Sequence, residues 1–137
     1  MRVTVAAPVK ATEDADKVEA AATRFFPGEV ARAADGVVVH AAGLEAFRSR
    51  VWELRIIDTV RGQLLRGAEG PILRFRLAKQ AAAAGKVSFP PTPHPLGDLD
   101  VKAELEPGDA WADAEALCWW ICPETKDGEI VAEASDN

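Results

Sequence analysis

The order of segments in this 137-residue chain predicts an α+β domain. Three observations carry the reading. Residues 2–9 alternate apolar and polar side chains, the period of a half-buried strand. Asp35-Gly36 lies between two β-rich runs, 29–34 and 37–42, which is a hairpin signal and implies antiparallel pairing. Val18, Ala21, Ala22 and Phe25 recur at i, i+3, i+4 and i+7, the apolar stripe of a helix.

Each element has a local reason. Val3, Val5, Ala7 and Val9 form the buried side of the first strand, and Pro8 marks its end or an edge. Thr12 is read as the N-cap of the first helix, with Glu13, Asp14 and Asp16 complementing its dipole. Pro27-Gly28 stops that helix. Residues 44–66 read as helix, but Leu44, Phe47, Val51 and Leu54 fall on a different stripe from Ile57, Val60 and Leu64. A kink or break near 53–56 would bring both stripes onto one core. Gly67 is read as the C-cap, and Gly62 as a place where a partner backbone could come close. Residues 72–77 alternate again, with Leu73, Phe75 and Leu77 on one face and Arg74 and Arg76 on the other. A short alanine-rich helix over 78–84 ends at Gly85, and 86–89 is extended. The four prolines of 90–95 make a loop. Val101, Ala103 and Leu105 face inward from a strand over 99–105. Residues 111–122 fit helix or strand equally, Asp127-Gly128 is a turn, and the last residues are expected to fray.

Composition bounds the function. The chain is 48% hydrophobic and 28% charged, a globular balance. No apolar run approaches the roughly 18 residues a membrane span needs, and the N-terminus has no signal-peptide pattern. The expectation is one cytoplasmic domain over 1–137, with an acidic and partly flexible part over 109–137. Cys118 and Cys122 read as small buried hydrophobes, because two further zinc ligands at suitable spacing are missing. There is no phosphate-binding glycine loop, no nucleophile elbow and no nucleophile paired with a base. The chain is therefore read as neither an enzyme nor a holder of a metal or cofactor.

Charge is the one uneven feature. The net charge is −6, yet residues 46–86 hold nine Lys or Arg against three Asp or Glu, while 98–137 hold two against twelve. Arg48, Arg50, Arg55, Arg61 and Arg66, then Arg74, Arg76, Lys79 and Lys86, are read as cations on surfaces the core does not need. Arginine's planar fork suits phosphate contacts. Only Trp52 in this block is a candidate for base stacking, which favours recognition of backbone and shape. The competing account is a solvated surface ion-paired with the acidic C-terminal part.

Several stretches resemble one known family. They are Ala7-Pro8-Val9, Thr12-Glu13-Asp14 with Lys17-Val18 and Phe26-Pro27, and Ile56-Ile57-Asp58-Thr59 through Leu64-Leu65-Arg66-Gly67. The most distinctive are Phe75 to Ala82 and Gly85 to Phe89, followed by Pro95-Leu96-Gly97 and Trp120 to Thr125 with Gly128. This is similar to an archaeal family of uncharacterised proteins with a predicted RNA-binding role. The resemblance implies a two-layer fold, an antiparallel sheet with helices packed on one face. It also implies likeness to the ribosomal protein that binds the small RNA of the large subunit, and an archaeal cytoplasm. The chain departs from the family at Ala78, where an asparagine is expected, and at Ala83 or Ala84, where a larger apolar residue is expected.

The reading is a non-catalytic RNA-binding protein. Its contacts would be Arg55, Gln63, Arg66, Arg74, Arg76, Lys79, Gln80 and Lys86, with the two glutamines reaching a base edge or a 2′-hydroxyl. The alternative is a module that docks on a protein assembly through Trp111, Trp119 or Trp120, since aromatic anchors are common interface hot spots.

Overall fold

A computed structural model describes residues 1–131. Its elements are β1 (Arg2–Pro8), α1 (Ala15–Thr23), β2 (Gly28–Ala33), β3 (Gly36–Ala41), α2 (Glu45–Leu54), α3 (Ile57–Arg66), β4 (Ala68–Glu69), β5 (Ile72–Leu77), α4 (Lys79–Ala83), β6 (Leu99–Glu104), α5 (Ala114–Ile121), β7 (Thr125–Lys126) and β8 (Glu129–Ile130). Six strands form one antiparallel sheet in the order β2-β3-β1-β6-β5-β4, and β7-β8 form a separate hairpin. The fold is α+β with helices on one side, as the family resemblance implies.

Register explains the layering. Val39, Val5, Val101 and Phe75 line up across four strands, with Ala7 and Val37, Val3 and Ala103, Leu73, and Leu77 and Leu99 in the flanking rows. All are buried. The helices cover this face with Val18, Ala22, Phe47, Val51, Val60, Leu64, Leu117 and Ile121. Phe47 stacks between Phe26 and Phe75, at ring separations of 5.4 and 5.2 Å. The other face carries Thr4, Ala6, Val38, His40, Arg74, Arg76, Asp100 and Lys102, and among the described residues no helix lies over it.

The helical break falls where the stripes demand it. Arg55 sits between α2 and α3 in the left-handed conformation, φ 57°. Residues 114–121 resolve as helix, burying Ala114, Leu117, Cys118 and Ile121. Burial pushes both thiols up to about 12, so they are inert at neutral pH.

Two local expectations are corrected. Asp14, not Thr12, caps α1: its carboxylate accepts from the Asp16 amide, and helix begins at Ala15. The β2–β3 loop is Ala34-Asp35, and Gly36 pairs with Ala33 as the first residue of β3. A side chain at Gly36 would press on the Ala7 carbonyl of β1, so glycine serves packing there, not the turn. Residues 86–89 join no sheet ladder, and Ala78 N–H donates to Ser88 C=O. The fraying expected of the final residues concerns 132–137, which lie outside the described residues.

Candidate nucleic-acid interface

Much of the basic block is used internally. The Arg48 guanidinium donates to Trp120 C=O (2.7 Å), Trp52 Nε1 to Ile121 C=O (2.8 Å), and Arg61 Nε to Cys122 C=O (2.9 Å). Arg61 also donates to Pro123 C=O. The last turn of a helix leaves carbonyls without intrahelical partners and a partial negative charge. Two arginines and an indole satisfy the end of α5. Arg48 lies over the rings of Trp52 and Trp120, and Arg61 over Trp119. Trp52 is thus committed and is not a free stacking ring. Arg50 Nε donates to Gly85 C=O at 2.9 Å, tying α2 to the end of α4. These arginines are not on surfaces the core can spare.

Lys79 needs a stronger correction. It is 4% exposed, and its ammonium donates to Pro8 C=O (2.7 Å), Leu96 C=O (2.6 Å) and the Glu13 carboxylate (2.9 Å). A lysine with three short internal acceptors cannot meet a phosphate. It pins β1, the approach to α1 and the proline-rich loop to α4. Burial alone would raise the Glu13 carboxyl, but the Lys10 amide and the Lys79 ammonium outweigh it and hold it below its ordinary value.

Four other expected residues converge. Gln63 and Arg66 on the last turns of α3 line one groove with Arg74 and Arg76 of β5. Gly67, Phe75, Phe89 and Pro90 complete its walls. Gly67 makes the approach possible. A Cβ there would collide with the Arg74 carbonyl oxygen, and Arg74 N–H donates to Gly67 C=O at 3.0 Å. Arg66 and Arg74 are exposed and, among the described residues, form no ion pair.

Arg76 is compromised. Its Nη1 reaches Asp98 Oδ2 at 3.5 Å, and Asp100 lies directly opposite it on β6. Asp98 is almost fully buried, and among the described residues its Oδ1 has no donor. Burial holds the Asp100 carboxyl above its ordinary value, with Arg76 opposing and Asp98 adding to the shift. Sequence reading passed over both acids, because the β5–β6 register sets Asp100 opposite the arginine and Asp98 immediately precedes β6.

The remaining expected residues are exposed but off the groove. Arg55 lines a recess with Asp58, Thr59, Thr125 and Gly128. Gln80 lines one between α1 and α4 with Asp14 and Lys17. Lys86 follows Gly85 on the surface. Trp111 and Trp120 pack on one another at 4.9 Å against the core, whereas Trp119 is 42% exposed. Among the described residues no group of acids, histidines and cysteines is placed to hold a metal, and no helix is long and apolar enough to cross a membrane.

This architecture defines a small α+β protein with one open sheet face and a basic groove at the sheet's β5 end. The chain belongs to the UPF0201 family. It is 32% identical to a UPF0201 protein of Metallosphaera sedula, over 93% of this chain and 91% of the relative. A UPF0200/UPF0201 protein of Archaeoglobus fulgidus is 31% identical, over 97% of this chain but 41% of that longer one. The crystal structure of a UPF0201 protein from Methanococcus jannaschii superposes with a TM-score of 0.85 at 27% identity, covering 96% of this chain and 99% of that one. No family model matches the chain.

Proposed function

We propose that this protein binds RNA without acting on it, holding the sugar-phosphate backbone in the groove of Gln63, Arg66, Arg74 and Arg76. The observation that carries the reading is that convergence, with Arg66 and Arg74 left unpaired among the described residues. Guanidinium forks suit non-bridging phosphate oxygens, and the Gln63 amide suits a 2′-hydroxyl or a base edge. The outward positions of the sheet carry no Phe or Trp, and His40 is the one aromatic ring on β1, β3, β5 and β6 there, so the surface offers bases little stacking and weights contact toward the backbone. Lys79 is no part of the grip, and Arg55, Gln80 and Lys86 lie outside it. Likeness to the ribosomal protein that binds the small RNA of the large subunit, and an archaeal cytoplasmic setting, belong to the same reading.

The test is filter retention of total cellular RNA at two salt concentrations, comparing the native chain with Arg66→Glu/Arg74→Glu. Arg76 is left in place because its removal would also strand Asp98. Salt-sensitive retention that the double variant loses supports the groove. Equal retention by the variant rules the groove out, and no retention at low salt rules out RNA.

A second reading, docking on a protein, is favoured by two observations. Trp119 is exposed on α5, whereas Trp120 on the same helix is packed against Trp111. The Archaeoglobus relative joins UPF0200 and UPF0201 in one name, and this chain matches 41% of it. The partner on this reading is a UPF0200-type protein. Trp119→Ala would then abolish its co-purification, while Arg66→Glu/Arg74→Glu would leave it intact.

A further inference from the structure

The two edges of the sheet are built differently. The β4 edge is two residues long, and α5 closes over it, with Ala114 N–H donating to Gly70 C=O at 2.8 Å. The β2 edge is six residues long, and five of the six are exposed. Edge strands left bare are templates for pairing, and soluble proteins blunt them with charged side chains, lysine above all, with proline, with bulges or with covering loops. β2 contains no lysine or proline, its two charges are Glu29 and an Arg32 ion-paired to α1, and its register with β3 runs from Gly28 to Ala33 without a bulge.

The direction of its peptide groups is fixed. Ala42 N–H donates to Pro27 C=O, and the two-residue loop closes on the Ala33–Gly36 pair. Pro27, Glu29, Ala31 and Ala33 therefore turn toward β3. Gly28, Val30 and Arg32 turn their N–H and C=O groups outward. Among the described residues no backbone bond outside the strand ladder meets these three.

We infer that two copies of this chain pair through β2, antiparallel, with Val30 on the two-fold axis, joining their sheets into one. The register follows from the residues. Across an antiparallel pair, opposite side chains share a face, so the axis must pass through a residue of β2. An axis at Glu29 sets Glu29 against Glu29, and one at Arg32 sets Arg32 against Arg32. An axis at Gly28 leaves Arg32 beyond the pairing, and one at Ala31 sets Val30 against Arg32. With Val30 on the axis, Val30 meets Val30, Arg32 meets Gly28 and Glu29 meets Ala31. All three outward peptide groups of each copy then find partners. Arg32 is already drawn toward α1 by Asp16 (2.6 Å) and Glu19 (2.7 Å), which holds its side chain against its own helix.

Sedimentation of the native chain across a wide concentration range tests this. The expected result is a concentration-dependent rise from 14.7 kDa toward twice that mass. Val30→Pro removes an outward N–H and no bond to β3, so it should keep its far-ultraviolet spectrum and sediment as the monomer. Val30→Cys should form an intermolecular disulfide on mild oxidation, since directly opposite Cα atoms in a hydrogen-bonded pair lie about 5.5 Å apart, within disulfide reach. Arg32→Cys should not, because its two copies sit four residues out of register. A native chain that remains at 14.7 kDa throughout overturns the inference. So does a folded Val30→Pro that still dimerises, or cross-linking by Arg32→Cys and not by Val30→Cys. Should Val30→Pro fail to fold, the cysteine pair alone decides.

Discussion

The Lys79 ammonium lies 2.9 Å from the Glu13 carboxylate, in a site where lysine is 4% exposed. Removing one member of a buried pair strands the other, at a cost of about 3–5 kcal/mol. Lys79→Met is therefore expected to lower the urea midpoint by that equivalent at neutral pH. The sign of its pH dependence is set by Glu13, whose carboxyl is held below its ordinary 4.5. A depressed carboxyl contributes stability that is present above 4.5 and lost as pH falls through the native value. The gap between native and Lys79→Met midpoints should thus be largest near neutrality and narrow in acid. A gap that widens in acid would show that Glu13 is not the group left stranded.

Two glycines separated by five positions predict opposite outcomes. A Cβ at Gly62 meets nothing within 4 Å, and the residue is exposed in the middle of α3. Gly62→Ala should stabilise by roughly 0.5–1 kcal/mol, the usual helix penalty of glycine. At Gly67 the Cβ would strike the backbone oxygen of Arg74. Gly67→Ala should destabilise by about 1–3 kcal/mol, as overpacking does, and should displace Arg74 from the groove. Thermal unfolding of the pair checks both signs.

The same contrast shows what the sequence could reveal. Local periodicity found β1, the β2–β3 hairpin, the break at Arg55 and the alternation of β5, because each rests on neighbours in the chain. Gly67 was legible as a helix stop, but its collision partner is a strand seven residues on. Lys79 looked like a surface cation because its acceptors, Pro8 and Leu96, come from distant segments. Arg48 and Arg61 looked free because the carbonyls they cap belong to a helix about 60 to 70 residues later. Charge counting reads composition. Which charges are free depends on long-range partners, and one residue type at a time does not reveal those.

Arg61 gives a test of the α5 cap. It holds two carbonyls beyond the helix end and lies 4.8 Å from the Trp119 ring centroid. Hydrogen bonds to a charged donor contribute about 1.5–3 kcal/mol, so Arg61→Ala should lose an amount in that range in chemical denaturation. Tryptophan fluorescence should change at the same time, because the cation leaves the face of an exposed indole. Arg55→Ala, whose side chain has no ion pair among the described residues, should do neither.

The salt dependence of RNA binding separates free from committed cations. Each phosphate neutralised releases counterions, so log K falls with log salt by roughly 0.7 per contact for single strands and 0.9 for a B-form duplex. Arg66→Ala and Arg74→Ala are each expected to reduce that slope by about 0.7–0.9. Lys79→Met removes the same formal charge but no contact, so its slope should match the native one wherever the variant is folded. Arg76→Ala should fall between, because Asp98 and Asp100 already offset its charge. Measuring the four slopes on one RNA ranks these cations by accessibility, independently of affinity. If Lys79→Met flattened the slope as much as Arg74→Ala, overall charge and not the groove would be driving the binding.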